Sequence, residues 1–327
     1  MDFATALTNV LNPAALFFAL GFAAVLTKTG LEIPAPLPKL FSLYLILAIG
    51  YTGGAKLAHS GLDSTVLLYI GVAMFMALII PVGVFFLLRR ILSVYDAAAM
   101  AATYGSISIV TFIVGTEFLA RNDQPYGGYM VAIMSLMESP AIIAGIFLVR
   151  LCAPRRSLAA PQTTAGSLLR ESFLNASVFL LLGSLLIGWL TGETHGKSLE
   201  PFMSGLFKGM VIFFLLDTGM HAARLIKQLR QTGVPLFAFG LIAPLVHAAL
   251  GIIVAHLMGM HPGDALLFTL LCASASYIVA PAAMRHAVPE SNPGLVELLS
   301  LGVTFPLNIT IGIPLYWAVI RWWWGLA

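Results

Sequence analysis

Seven stretches of this chain run for twenty residues or more without an Asp, Glu, Lys or Arg: 3–27, 64–88, 97–116, 172–192, 231–263, 265–284 and 298–320. A helix needs ~20 consecutive, mostly apolar residues to cross a bilayer. Inside lipid the chain must satisfy its own backbone N–H and C=O groups, which leaves only helices and closed barrels. A barrel strand alternates polar and apolar positions, and these runs do not. The chain is 59% hydrophobic and 9% charged, against roughly 25% charged for a soluble domain. The expected fold is an all-α integral membrane protein. Spans that tolerate an internal charge or glycine raise the count to ten, near 8–27, 37–59, 64–88, 97–118, 127–150, 171–191, 201–223, 233–258, 264–285 and 295–320.

Basic residues set the expected orientation. Loops after odd-numbered spans hold Lys28, Lys39, Arg89, Arg90, Arg150, Arg155, Arg156, Arg170, Arg224, Lys227, Arg230 and Arg285, or 12 of the 17 (17 − 12 = 5 elsewhere). The positive-inside rule then puts odd loops in the cytoplasm and both termini in the periplasm. No basic region precedes the first apolar run, so the start of the chain is expected to belong to span 1 rather than to a cleaved signal. This arrangement suits a multi-pass protein of a bacterial inner membrane. The net charge of +3 lies largely in the inner loops, and a nucleic-acid partner is not expected. Cys152 and Cys272 imply no disulfide framework. Trp322, Trp323 and Trp324 beside Arg321 read as an interfacial anchor.

The one long hydrophilic stretch, 153–170, separates a first five-span unit (1–152) from a second (171–327). Five is odd, so the second unit must enter the membrane inverted. Internal matches agree. Asp96-Ala97 followed by Ser106 and Ser108 matches Asp264-Ala265 followed by Ser274 and Ser276, at a constant offset of 168 (264 − 96 = 274 − 106). Thr52-Gly53 matches Thr218-Gly219 at 166, Pro81 matches Pro244 at 163, and Pro140 matches Pro306 at 166. Duplicated polar breaks in apolar segments point to the midplane site of a secondary transporter with inverted repeats. Serines two apart do not share a helical face, so each pair fits unwound backbone in spans 4 and 9.

Ionisable side chains deep in a span are costly and usually functional. Glu138 follows fourteen uncharged residues and precedes eleven. Asp217 and Lys208 lie in span 7; Lys208 is expected to snorkel to the interface. Asn308 follows Pro306 by two residues, as Glu138 precedes Pro140 by two, and both prolines are expected to break their helices and free carbonyls. A hard cation such as Na⁺ prefers oxygen ligands. An anion prefers N–H groups at half-helix N-termini. The expected anion site is therefore Ser106, Ser108, Ser274, Ser276 and Tyr277. The expected cation-coupling set is Glu138, Thr111, Asn308 and Asp217, with Glu138 holding Na⁺. His221 and His247 read as satisfied core histidines, since no His/Cys/Asp cluster has metal spacing. Gly53, Gly54, Gly127 and Gly128 read as packing positions. No catalytic constellation is present: no span holds paired aspartates, a nucleophile elbow or a two-histidine zinc motif. A passive channel is the other class, and it would show flux without a cation gradient.

These residues resemble the sodium-dependent bicarbonate transporters of the SbtA type. The resemblance shows in Gly50-Tyr51-Thr52-Gly53-Gly54, the span-4 serines, Met137-Glu138-Ser139-Pro140-Ala141, Thr218-Gly219-Met220, Leu241 to His247, Ala273 to Ser276 and Pro289 to Pro293. It implies ten spans in a 5+5 inverted repeat, similar to the NhaA and bile-acid-transporter folds, with spans 4 and 9 discontinuous. It also implies Na⁺/bicarbonate symport, a homotrimer and a cytoplasmic PII-like regulator, with no cofactor beyond the coupling ion. The chain departs from the family pattern where a span-9 serine run would end in aspartate, here Tyr277. It departs again at His221, where the family is acidic, and at Ile109 and Val110, where it has small residues. The alternative is a paralogue that carries another small organic anion with H⁺.

Overall fold

The computed structural model describes residues 13–61, 63–153, 176–196, 199 and 201–326, and among these there is no strand. The first twelve residues and most of the predicted linker 153–170, with Arg155, Arg156 and Arg170, lie outside the described residues. The helices are α1 (Pro13–Leu26), α2 (Pro36–Ser60), α3 (Ser64–Leu88), α4 (Val94–Gly105), α5 (Ile109–Arg121) and α6 (Tyr129–Cys152). They continue with α7 (Ala176–Gly196), α8 (Phe207–Thr232), α9 (Val234–Leu257), α10 (Pro262–Ala273) and α11 (Val279–Ala287). The last, α12 (Pro293–Trp323), bulges into π-helical turns at Ser300–Thr304 and Asn308–Gly312.

Local sequence explains most starts. The Asp63 carboxylate accepts the Val66 N–H at 2.8 Å, and the Asn292 side chain accepts those of Gly294 and Leu295. Such caps satisfy N–H groups that the first helical turn leaves over. Pro36, Pro235, Pro262 and Pro293 open α2, α9, α10 and α12, where a missing N–H is harmless.

Among the described residues seven segments are long and apolar enough to cross a membrane: Pro36–Ala58, Ser64–Leu88, Val94–Arg121, Tyr129–Cys152, Pro201–Leu225, Val234–Leu257 and Pro293–Trp323. The other three predicted spans coincide with shorter apolar helices, Ala15–Leu26, Ala176–Gly192 and Pro262–Ala273. Two of these predicted spans begin in residues outside the described set, and the third is interrupted after Ala273.

Two crossings bind α1, α2, α7 and α8 into one group. A Cβ on Gly54 of α2 would overlap the Leu185 carbonyl, and one on Gly188 of α7 would overlap that of Tyr51. In the α1–α8 crossing, a Cβ on Gly21 would overlap the Leu216 carbonyl and one on Gly219 that of Phe18. Small residues let membrane helices approach to backbone contact, where van der Waals packing holds them. The remaining helices form a second group around α4, α5 and α10. The apolar stretch of the Val94–Arg121 segment is 94% buried, against 39% for that of α3. Interrupted backbone is tolerated at membrane depth when protein rather than lipid surrounds it.

The predicted break at Pro140 is not found. α6 runs through it without interruption, inside a fully buried stretch whose neighbours hold the helix in line. Pro306 also leaves its helix continuous. It sits between the two π-helical turns of α12, which absorb the distortion instead.

Candidate functional site

α4 ends at Gly105, where a Cβ would overlap the ring of Pro81 on α3. Ser106 (φ −85°, ψ 163°) and Ser108 (φ −108°, ψ 108°) are then extended before α5 begins. α10 ends the same way at Ser274 (φ −81°, ψ 167°), and regular helix resumes only with α11. The predicted unwinding at both serine pairs is therefore present. The two breaks also meet: the Ser108 N–H donates to the Ser274 Oγ at 2.9 Å, and the Ser276 N–H donates to the Thr103 carbonyl at 2.9 Å. Each break thus supplies partners for backbone groups the other leaves over.

The serines divide their work. The Ser108 Oγ accepts the Thr111 N–H at 3.2 Å, and the Ser276 Oγ accepts that of Ala280 at 3.1 Å, so each caps the half-helix it precedes. The Ser106 Oγ donates to the main-chain carbonyl of Glu138 at 3.1 Å and ties α6 to the α4–α5 break.

A small cavity of about 30 Å³ lies at this junction, room for roughly one or two waters. Ser108, Glu138, Ser276 and Tyr277 line it from one group of helices, and Ser42, Ser177 and Phe214 from the other. Ile109, Val110, Ile278 and Val279 also border it, so the first turns of α5 and α11 face it together. Those turns carry N–H groups in excess and the positive ends of the helix dipoles. Among the described residues Glu138 is the one acidic side chain on the wall, and its Oε2 is buried without a hydrogen-bond partner. The Tyr277 hydroxyl is buried too, with Thr218 beside it. The arrangement offers a positive backbone field and a bare carboxylate in the same small space.

The other predicted residues fall outside this wall. Ser106 and Ser274 are buried one layer behind it as braces. Thr111 is also buried off the cavity, with no partner for its hydroxyl among the described residues. Asn308 is fully engaged: its Nδ2 donates to the Ala273 carbonyl at 2.9 Å, and its Oδ1 accepts from the Tyr316 hydroxyl at 2.9 Å. Asp217 lines a wider vestibule of about 460 Å³, together with Lys39, His221 and Glu297. Ser42, Ser177, Phe214, Tyr277 and Ile278 line both spaces and form the neck between them. His221 is a half-exposed residue at this mouth rather than a core one, paired with Glu297 at 2.7 Å. His247 is buried as expected, but its Nδ1 has no partner among the described residues.

Elsewhere α2 packs closely on the segment that opens α6. A Cβ on Gly128 would overlap the Gly53 carbonyl and the Leu57 nitrogen, and the Lys56 ammonium stands 3.7 Å from the centre of the Tyr126 ring. The glycines at 53, 54 and 128 serve packing, as expected.

The duplicated aspartates have matching roles. The Asp96 Oδ1 accepts the Asn292 N–H at 2.7 Å and braces the turn before α12. The Asp264 Oδ1 accepts the Gly127 N–H at 2.7 Å and its Oδ2 the Tyr129 hydroxyl at 2.5 Å, bracing the turn before α6. Asp264→Ala leaves two donors without their acceptor and is expected to destabilise the protein by about 2–4 kcal/mol. Thermal melting in detergent checks this, with Asp264→Asn, which keeps one acceptor oxygen, falling between.

The sequence profile of the Na⁺-dependent bicarbonate transporter superfamily matches residues 13–321. The chain belongs to this superfamily. The match reaches every described helix, both broken segments included. A comparison with curated proteins finds no match. Superfamily membership makes the chain a membrane transport protein and not an enzyme, and it gives the paired breaks a context in which crossed, unwound segments carry ligands.

Proposed function

We propose that this chain is a secondary active transporter that imports a small anion, bicarbonate, together with Na⁺. The observation that carries this reading is the convergence of two half-helix N-termini and the unpartnered Glu138 carboxylate on one small cavity. The N-termini of α5 and α11 suit a compact anion. Glu138, with the hydroxyls of Ser108, Ser276 and Tyr277 and the carbonyls of the unwound strands, suits a hard cation. Each ion offsets the field that the other faces, so the two are favoured together.

We further propose a ten-span inverted repeat as the frame. The glycine crossings support it: Gly188 and Gly21 differ by 167 and touch Tyr51 and Leu216, which differ by 165. Gly219 and Gly54 differ by 165 and touch Phe18 and Leu185, which differ by 167. The contacts of one crossing therefore map onto those of the other. The aspartate braces map likewise, from Asp96–Asn292 to Asp264–Gly127. Positive-inside orientation would put the vestibule on the cytoplasmic side of a bacterial inner membrane, since its lining residues Lys39, His221 and Glu297 neighbour odd-numbered loops. The described conformation is then inward-facing, with Gly53, Lys56 and Gly128 at the outer seal.

One observation favours a second reading, H⁺ coupling. Thr111, Asn308 and Asp217 stay off the cavity wall, which leaves Glu138 as its one carboxylate and reduces the oxygens available to Na⁺. Uptake of labelled bicarbonate into proteoliposomes separates the readings. Stimulation by an inward Na⁺ gradient at constant pH supports the first. Stimulation by an inward H⁺ gradient without Na⁺ supports the second. Equal uptake with and without any cation gradient would leave a passive pathway.

A further inference from the structure

A second, larger space lies on the other side of the α4–α5 break. It is an apolar groove of about 670 Å³ between α3 and α9. Ile79, Val84, Phe239 and Ile242 are typical of its wall, and its ionisable lining residues are Arg90 and His247. Arg90 sits at one mouth beside Pro235, and His247 lies twelve residues further along α9, about 18 Å away at 1.5 Å per residue. That depth matches one leaflet, about half of a ~30 Å hydrocarbon core. Gly83 opens the wall, since a Cβ there would meet nothing within 4 Å.

We propose that this groove holds an acyl chain of an anionic phospholipid, with the phosphodiester at Arg90. Charge selects the headgroup. Arg90 is exposed and makes no hydrogen bond or ion pair among the described residues, whereas its neighbour Arg89 contacts Cys152 and the Phe85 and Phe86 rings. Length suits an acyl chain, since the run from Arg90 and Pro235 at the mouth to His247 is that of one leaflet. The occupant would lie close to the site. Phe239 meets Tyr104, one residue before the end of α4, edge-to-face at 4.8 Å between ring centres, and Pro81 of α3 abuts Gly105. The groove floor is thus the outer wall of the first break.

Native mass spectrometry of the full chain, reconstituted with phosphatidylglycerol or phosphatidylcholine, tests this. The wild type is expected to retain phosphatidylglycerol in preference. Arg90→Gln should weaken that retention about fivefold, the contribution of one basic residue near an anionic surface. Gly83→Leu fills the groove and should reduce retention of both lipids. Both variants should melt with the wild type, because Arg90 pairs with nothing described and the Gly83 site has space. Equal retention by all three proteins overturns the proposal. So does a Gly83→Leu protein that loses self-association while keeping its lipid, which would put a second copy of the chain in the groove.

Discussion

Cation-driven uptake by a Glu138→Gln variant is expected to fall by about a hundredfold or more, while the variant melts no lower than the wild type. The two halves of this result come from one observation. Oε2 of Glu138 is buried with no hydrogen-bond partner among the described residues. Removing one member of a buried charge pair costs about 3–5 kcal/mol, and 3 kcal/mol is roughly a hundredfold in affinity. If the partner is the transported cation, that loss appears in cation affinity and hence in uptake. The folded protein without its ions gains from the change, because an isolated buried carboxylate is more costly than a neutral amide. Function and stability should therefore separate, as they do where a site is kept strained for its ligand. Glu138→Asp keeps the charge and should keep part of the uptake. Retained cation-dependent uptake in Glu138→Gln would remove Glu138 from the coupling role. A simultaneous fall in melting temperature would make it a structural group.

How much of this was legible in the sequence differs by residue, and the reason is physical. The breaks at Ser106–Ser108 and Ser274–Ser276 were legible because side chains two apart cannot share a helical face and because the pattern occurs twice. Glu138 was legible because carboxylates are rare within apolar runs. Ser42 and Ser177 were not. A serine in a membrane helix usually bonds back to its own backbone, and only the crossing of α2 and α7 brings these two to the cavity. Asn308 was drawn into the site by its spacing from Pro306, yet its amide nitrogen and oxygen are both engaged elsewhere, by the Ala273 carbonyl and the Tyr316 hydroxyl. Glu297 escaped notice because it sits at the predicted edge of the last span. α12 starts at Pro293 and carries it to His221. The proline breaks failed for a related reason: missing a backbone donor interrupts a helix only when neighbours do not hold it straight, and α6 is buried along most of its length.

The helix crossings give the largest expected effect on stability. Gly188→Ala should destabilise the protein by about 2–3 kcal/mol, whereas Gly183→Ala, one and a half turns earlier on the same helix, should not destabilise it. The difference lies in what the added methyl meets. At Gly188 it meets the Tyr51 carbonyl, which belongs to the backbone of α2 and can yield only by moving the helix. At Gly183 it meets nothing within 4 Å, and alanine is the better helix former by roughly 0.5–1 kcal/mol. Overpacking a fitted interface costs about 1–3 kcal/mol, and the close approach also loses Cα–H contacts to the carbonyl. Gly21→Ala makes the equivalent clash with Leu216 in the α1–α8 crossing. Under an inverted repeat its cost should match that of Gly188→Ala to within about 1 kcal/mol, a margin typical of context effects between similar sites. Unfolding measured in one lipid or detergent condition compares all three. A large cost at Gly188 with none at Gly21 would mean that the two crossings are alike in sequence spacing but not in packing, and the repeat would lose its strongest support.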